Sequence, residues 1–460
     1  MKYSSIADNS KEVKKGGIFV AIKGEQVDGN NFIPDAIKKG AVLIVSEKPP
    51  KKGWLTKVKY KQVKDARESL ALLASEFYGQ PSKKLTVIGV TGSDGKTTTS
   101  HMIYNILKEA DKKVGLISTI SAKVGSKEID TGFHVTNPEP IQLNELLSKM
   151  VKAKLKFVVL ETTSHGIAQR RVSAIGFDIA VLTNITHEHI DYHKTFANYR
   201  NTKLDLFLAA KVSILNKDDK SYSYFHKAIH GKKITYSTSK EADISPNDLR
   251  LKKLMGLRIE KAGEYNLQNA LAAASVARAL KIPWDAIRSG LSEMSLPKGR
   301  LEAVSNKKGI NIYIDFAHTP NALKNVLSLL KKSTGGKLIA VFGCAGERDT
   351  KKRPMMAEIS TSIADISVFT AEDSRTEKIE DIFEDMIMGI KDKDANYHKI
   401  SERGEAIAFA INKLARGGDT VVVCGKAHER SMAYNGVEYP WSDFRAVELA
   451  LRGKVLEVKK

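Results

Sequence analysis

Cysteine is nearly absent from this 460-residue chain: Cys344 and Cys424 stand far apart, each at the end of an apolar stretch. That scarcity excludes a disulfide framework or a cysteine-built metal site and leaves two buried structural thiols as the expectation. Long apolar runs are also missing; none approaches the ~20 residues needed to cross a bilayer. The opening stretch, MKYSSIADNSKEVKKGG, lacks the apolar core of a signal peptide. A cytoplasmic chain with no membrane insertion is expected. Acidic residues are outnumbered, 53 against 74 basic ones, for a net charge of +21. Such a balance suits a nucleic-acid binder, but the lysines are scattered in pairs such as Lys38-Lys39, Lys83-Lys84 and Lys351-Lys352. No RNA-binding signature accompanies them, so nucleic acid is not the expected partner. A basic cleft that draws in an anionic substrate is. Internal repeats and low-complexity segments are absent as well.

What is present is an ordinary globular composition, 42% hydrophobic and 28% charged, over a length that suits about three domains. GGIFVAIKG and GAVLIVSE read as short buried strands around a helical stretch near Ile33 to Lys39, and RESLALLASEFYGQPSKK reads as a helix ended by Gly79 and Pro81. From Leu85 the pattern becomes strand, loop, helix in repetition: LTVIGV, KVGLIST, FVVLETTS, IAVLTNIT and VSILNKDD are the strands. A second break falls in EMSLPKGRLEAV, at Pro297 and Gly299. NIYIDFAH, KLIAVFGCAG, ISVFTAED and DTVVVCGKAH then repeat the alternation. Alternating strands and helices predict an α/β protein with mainly parallel sheets covered on both faces. The expected domains are 1–83, 84–296 and 297–460.

The chemistry concentrates in three places. GVTGSDGKTTTS follows a strand and opens a helix, which is the context of a phosphate loop, although Val90 occupies the first glycine position of the general eight-residue pattern. Glycines let backbone N–H groups close on phosphate, and the helix N-terminus favours the anion. In such a loop Lys96 reaches the β- and γ-phosphates and the Thr97 hydroxyl faces Mg²⁺. Second, TNITHEHIDYHKTFANYRNTKLDLF gathers His187, His189 and His193 with Glu188 and Asp191 after a strand. That spacing fits a metal or proton-transfer site, or a polar surface loop. Third, VVLETTSHG puts Glu161 at the C-terminal end of a strand, where ligands collect in an open α/β sheet.

The loop Thr91 to Thr97 resembles the T-G-x-[DN]-G-K-T form of the Mur ligase family of ATP-dependent amide-bond ligases. So do ETTSHG, NITHEHIDYH, YNLQNALAA, GRLE, DFAHTPNAL and GERDTKKRP, in the family's order, along with the opening VKKGGIFVAIKGEQVDGNNFI. The likeness covers nearly the whole chain and is strongest to the family's tripeptide synthetases. The resemblance implies a small α/β N-terminal domain that holds the UDP end of the substrate, a central P-loop ATPase domain and a Rossmann-like C-terminal domain. It implies that ATP and Mg²⁺ are used to join a diamino acid, meso-diaminopimelate or L-lysine, to UDP-N-acetylmuramoyl-L-alanyl-D-glutamate through an acyl phosphate, and that the enzyme is a monomer. Other Mur-type ligases, such as folylpolyglutamate or cyanophycin synthetases, and a nucleotide-binding regulatory protein without turnover are the alternatives.

By the same resemblance, Gly92, Ser93, Asp94, Gly95, Lys96, Thr97 and Thr98 hold the phosphates, with Asn269, Arg300, Asp315 and His318 also on the nucleotide. Thr97 and Glu161 are the expected ligands of one Mg²⁺; His189 and Lys203, the latter as a carbamate, are those of a second. Lys96, Glu161, His189 and Lys203 are the implied catalytic set. Ser10, Thr136, Asn137, Thr163, Gln169 and Arg171 correspond to the UDP-substrate positions. Arg348, Asp373, Ser374, Arg375, Gly425 and Glu429 correspond to the amino-acid positions. The chain departs from the family at several of these. EDSR (Glu372 to Arg375) stands for D-N-P-R, so Asp373 adds a negative charge expected to favour a substrate ammonium. GKAHE stands for G-K-G-H-E, NSK for D-S-R, and Glu188 for the usual Asp.

Overall fold

A computed structural model describes residues 3–24, 27–129, 136–258 and 262–458. Among the described residues three larger sheets follow one another along the chain, beside two two-stranded ones. The first has four parallel strands in chain order: Ile6–Ala7, Gly17–Ala21, Ala41–Ser46 and Lys59–Gln62. The helix Ala66–Phe77 packs on it through Ala66, Leu70 and Ala74, and Asp65 caps that helix by accepting the Glu68 N–H.

The second sheet has eight strands. From one edge the order is Lys232–Tyr236, Val212–Asn216, Ile179–Leu182, Thr86–Thr91, Phe157–Glu161 and Val114–Ile117, all parallel, then the antiparallel pair Ala122–Val124 and Lys127–Ile129. The first strand in sequence, Thr86–Thr91, lies in the middle, so its neighbours are reached by crossovers of opposite direction. A crevice opens at the C-terminal ends of the strands at such a reversal. Alternate side chains serve two cores: Ile88, Val90 and Val159 face one cluster, Val87, Val158 and Leu160 the other. The helix Lys96–Glu109 and the alanine-rich helix Glu264–Ala279 cover the first face; the small side chains of Ala270, Ala272, Ala273 and Ala274 let the two helices lie close.

The third sheet runs Glu302–Ala303, Asn311–Asp315, Thr420–Cys424, Leu338–Phe342, Ile366–Phe369 and Tyr397–Lys399, parallel except for its first strand. The strands called from hydrophobic runs are all present as strands. The hairpin Ala122–Ile129, the edge strands Lys59–Gln62, Lys232–Tyr236 and Tyr397–Lys399, and the hairpin Ser431–Pro440 were not expected. Each is short or rich in polar residues, so its hydrophobic pattern is too weak to read. Both cysteines are free and buried, as expected.

Candidate active site

The strand ends of the second and third sheets face each other across a cleft of about 1200 Å³. Its floor is the loop Gly92 to Thr97. Gly95 has φ +82, and a Cβ there would stand 2.3 Å from Asn269 Oδ1; only glycine fits. Gly92 is as crowded, since its Cβ would meet Thr183 Oγ1 at 1.8 Å. Ser93 is pinned from both sides: its N–H donates to the Asn184 carbonyl (2.8 Å) and its Oγ lies 2.8 Å from the Tyr199 hydroxyl. Lys96 Nζ donates to the carbonyls of Gly92 (3.1 Å) and Ser93 (2.6 Å), folding its cation over the loop. Thr97 Oγ1 lies 3.0 and 3.1 Å from the two Glu161 oxygens and accepts from Arg300 Nη2 at 3.0 Å. Thr119 completes the Glu161 shell, donating through its N–H (3.0 Å) and Oγ1 (2.9 Å).

Lys203 lies beneath this floor. It sits on the helix Phe196–Leu208 with 1% exposure, and its Nζ donates to the Gly92 carbonyl at 2.8 Å. Burial, together with the nearby Lys96 cation, holds its amine well below the ordinary lysine pKa. An ordinary helix-surface lysine is thereby excluded. The histidines divide. His165, His189 and His193 cluster, with ring centroids 4.5 Å (His165–His189) and 5.7 Å (His165–His193) apart. Burial brings His189 down to about 3 and His165 and His193 to about 4, so all three are neutral at physiological pH. His187 points instead across the cleft, 3.0 Å from Asp349. Glu188 is buried; the Coulombic pull of His189 and the hydrogen bond from His318 overcome its desolvation and hold it well below the carboxylate range.

The donors at the loop fit Mg²⁺. A hydroxyl (Thr97) and a carboxylate (Glu161) are hard oxygen ligands, and burial shifts Lys203 toward the neutral amine, the form that can take up CO₂. Among the described residues no three His, Cys, Asp or Glu side chains converge as a metal cage.

The remaining expected residues fall into two groups. Thr136, Thr163, Gln169, Arg171, Asn269, Arg300, Asp315, His318, Arg348, Asp373, Arg375, Gly425 and Glu429 all line the cleft. Asp315 binds the N–H groups of Leu301 (2.6 Å) and Ala317 (2.8 Å), shaping the turn that carries Arg300. Ser10, Asn137 and Ser374 are buried and do not line the cleft. Asn137 works from behind: it accepts from the Thr163 N–H and hydroxyl, donates to the Glu161 carbonyl, and its own carbonyl takes Arg171 Nη1 at 2.7 Å.

Asp373 departs from expectation. Its carboxylate accepts from Lys426 Nζ (2.8 and 3.0 Å) and the Ala433 N–H, so its charge is already balanced inside the protein rather than offered to a substrate ammonium. Lys426, fully buried, also pairs with Glu429 at 2.5 Å. Arg348 and Arg375, by contrast, are close enough that Arg375, after burial, depresses the Arg348 pKa. Two neighbouring guanidiniums make a carboxylate site. Missed by the sequence reading were Thr119, Thr319, Asn321 and Lys426. Thr319 and Asn321 lie inside the quoted motif DFAHTPNAL and Lys426 inside GKAHE, so their neighbourhood was signalled but not their roles.

Comparison with known proteins decides the family. Residues 2–78 match the Mur ligase family catalytic domain, 90–277 the Mur ligase middle domain, and 299–427 the Mur ligase glutamate ligase domain. A UDP-N-acetylmuramoyl-L-alanyl-D-glutamate–2,6-diaminopimelate ligase of Bacillus velezensis is 38% identical, covering 99% of this chain and 95% of the relative. This chain belongs to the Mur ligase family. A protein of the same name from Aquifex aeolicus is 39% identical over 98% of the chain and 94% of the relative. Among solved structures, a ligase of that name superposes with a TM-score of 0.65 at 29% identity, covering 98% of this chain and 95% of the other. The MurF ligase of Thermotoga maritima, solved with ADP, shares the fold (TM-score 0.65, 22% identity, 98% and 97% covered). As a Mur ligase, the chain is an α/β enzyme whose cleft lies between the central and C-terminal sheets. No helix among the described residues is long and apolar enough to cross a membrane.

Proposed function

We propose that this Mur ligase joins 2,6-diaminopimelate to UDP-N-acetylmuramoyl-L-alanyl-D-glutamate at the expense of ATP, in peptidoglycan precursor synthesis in the cytoplasm. The observation that carries the reading is the loop Gly92–Thr97 beside Glu161, facing Arg348 and Arg375 across one cleft. A carboxylate is a poor electrophile. One of its oxygens attacks the γ-phosphorus, the bond to the bridging oxygen breaks, and ADP departs. The amine of the incoming amino acid then attacks the acyl carbon, the C–O bond to phosphate breaks, and the amine sheds a proton to solvent.

Each part of the cleft has a task. Lys96 swings from its own loop carbonyls to the β- and γ-phosphates, and Arg300, already 3.0 Å from Thr97, adds positive charge where the transferring oxygens gather. Thr97 and Glu161 would hold one Mg²⁺, and His189 and Lys203, as a carbamate, a second; the ions would supply further charge neutralisation when bound. Thr136, Thr163, Gln169 and Arg171 hold the UDP-substrate, with Ser10 and Asn137 shaping that part of the site from behind. Arg348 and Arg375 take a carboxylate of the amino acid. Two guanidiniums suit a substrate with two carboxylates, and the diaminopimelate ligases named above support that choice over lysine. The working units are residues 1–83, 84–296 and 297–460, and the enzyme acts as a monomer. Phosphate release from ATP with 2,6-diaminopimelate present, with and without the UDP-dipeptide, tests the reading: ATP turnover that the UDP-dipeptide does not stimulate would sink it.

A further inference from the structure

We propose that Asp94 is the docking point that holds the C-terminal part of the chain in register with the phosphate loop, with Asn321 and Thr319 as its partners. All three are positioning residues for the ligation. Asp94 is fixed from below by the central sheet: its N–H donates to Asn184 Oδ1 (3.0 Å), and its carbonyl accepts from Thr183 Oγ1 (2.6 Å) and Asn184 Nδ2 (3.3 Å). Its side chain turns the other way. Oδ1 accepts from Thr319 Oγ1 at 2.8 Å, 225 residues along the chain, and Oδ2 accepts from Asn321 Nδ2 at 2.7 Å. Thr319 caps the 14-residue helix Pro320–Ser333, so the carboxylate also meets that helix's positive end.

The resemblance puts Asp94 among the phosphate-holding residues; its side chain departs from that expectation, because both oxygens are taken by Thr319 and Asn321, which suits docking. A carboxylate facing a triphosphate is repelled; one turned away, with a charge-assisted hydrogen bond on each oxygen, ties two bodies together in a single geometry. Other contacts cross the same gap, Arg300 to Thr97 on the same loop (3.0 Å) and His318 to Glu188 (3.2 Å), but Asp94 makes two bonds across it from one carboxylate. The proposed activity needs such a register. The acyl carbon forms above the phosphate loop, while the amine arrives on Arg348 and Arg375 from the C-terminal side. Reaction requires the two within about 3–3.5 Å. The inference therefore rests on the ligase reading.

A mutant cycle on the full chain tests it. Asn321→Asp sets a second carboxylate against Asp94 and should lower kcat about tenfold or more, with a larger radius of gyration by small-angle scattering. Adding Asp94→Asn restores a donor–acceptor pair with the roles reversed, and should bring kcat to within about threefold of the parent and the radius back to its value. A double variant no better than Asn321→Asp in both measurements overturns the proposal. If Asn321→Asp fails to fold, Asp94→Ala and Asn321→Ala serve: the pair together should cost no more than either alone, and multiplying losses overturn it. Should the parent show no substrate-stimulated turnover, the ligase reading fails, yet the scattering cycle still reports docking.

Discussion

Replacing Lys203 by alanine probes the least ordinary residue of the site. The amine is 1% exposed and donates to the Gly92 carbonyl at 2.8 Å. The Gly92 carbonyl keeps its bond from Lys96 at 3.1 Å, so the lost donor costs only the net worth of one hydrogen bond, about 0.5–1.5 kcal/mol. Releasing a desolvated amine offsets part of it, so the melting temperature should move by only a few degrees, at about 2–4 °C per kcal/mol for domains of this size. Activity should respond very differently. If Lys203, as a carbamate, helps hold the charge that balances the transferring phosphoryl group, its removal acts on the transition state, where one lost electrostatic contact costs about 10²–10³ in kcat. The control is Lys211→Ala, which removes an exposed ion pair to Asp178 and should leave turnover unchanged. Steady-state phosphate release in the presence of the UDP-dipeptide and 2,6-diaminopimelate reads the difference, with melting curves to show that both variants are folded. Full turnover by a folded Lys203→Ala would refute the role given to this lysine.

Two further outcomes follow from the same geometry. Gly95→Ala forces a Cβ to 2.3 Å from Asn269 Oδ1 at φ +82; the left-handed backbone alone costs about 1–2 kcal/mol, so ATP affinity by calorimetry should fall about tenfold or more, and unchanged affinity would contradict the cradle. His318 is pulled down by burial but raised further by the Glu188 hydrogen bond and charge, for a net rise above the ordinary value. Because its folded pKa exceeds the unfolded one, its contribution is fully present below about 6.5 and is lost as pH rises through the raised value. Melting temperature should therefore lose an increment on the alkaline side of the histidine range, and His318→Gln should flatten that limb. An unaltered profile would show that the pair contributes nothing.

Much of this was legible in the sequence, for reasons that differ from residue to residue. The central strands are short continuous apolar runs bounded by glycine, threonine or asparagine, and such runs announce buried parallel strands. The phosphate loop was readable despite Val90, because strand, glycines, lysine and helix stand in order within twelve residues. Lys203 carried a signal in its spacing: Tyr199, Lys203 and Phe207 recur every four residues and are all buried, placing the lysine on the inner stripe of its helix. What could not be read are pairings between distant loops. Asp373 and Lys426 lie 53 residues apart and meet only because two strands end at the same rim of the third sheet. That meeting reversed the meaning of Asp373, from a charge offered to the substrate to one balanced within the protein. Asp94 and Asn321 are further apart still, and no local pattern marks a contact made between two sheets.

The account stands on carboxylate activation followed by amide-bond formation with a chosen diamino acid. Incubating the full chain with ATP, Mg²⁺, UDP-N-acetylmuramoyl-L-alanyl-D-glutamate and a panel of amino acids, and reading the products by mass, tests that most directly. The expected product has the mass of the UDP-dipeptide plus 2,6-diaminopimelate less one water, with one phosphate released for each molecule formed. Product with lysine alone would contradict the assignment of Arg348 and Arg375, and no product with any amino acid would contradict the ligase itself.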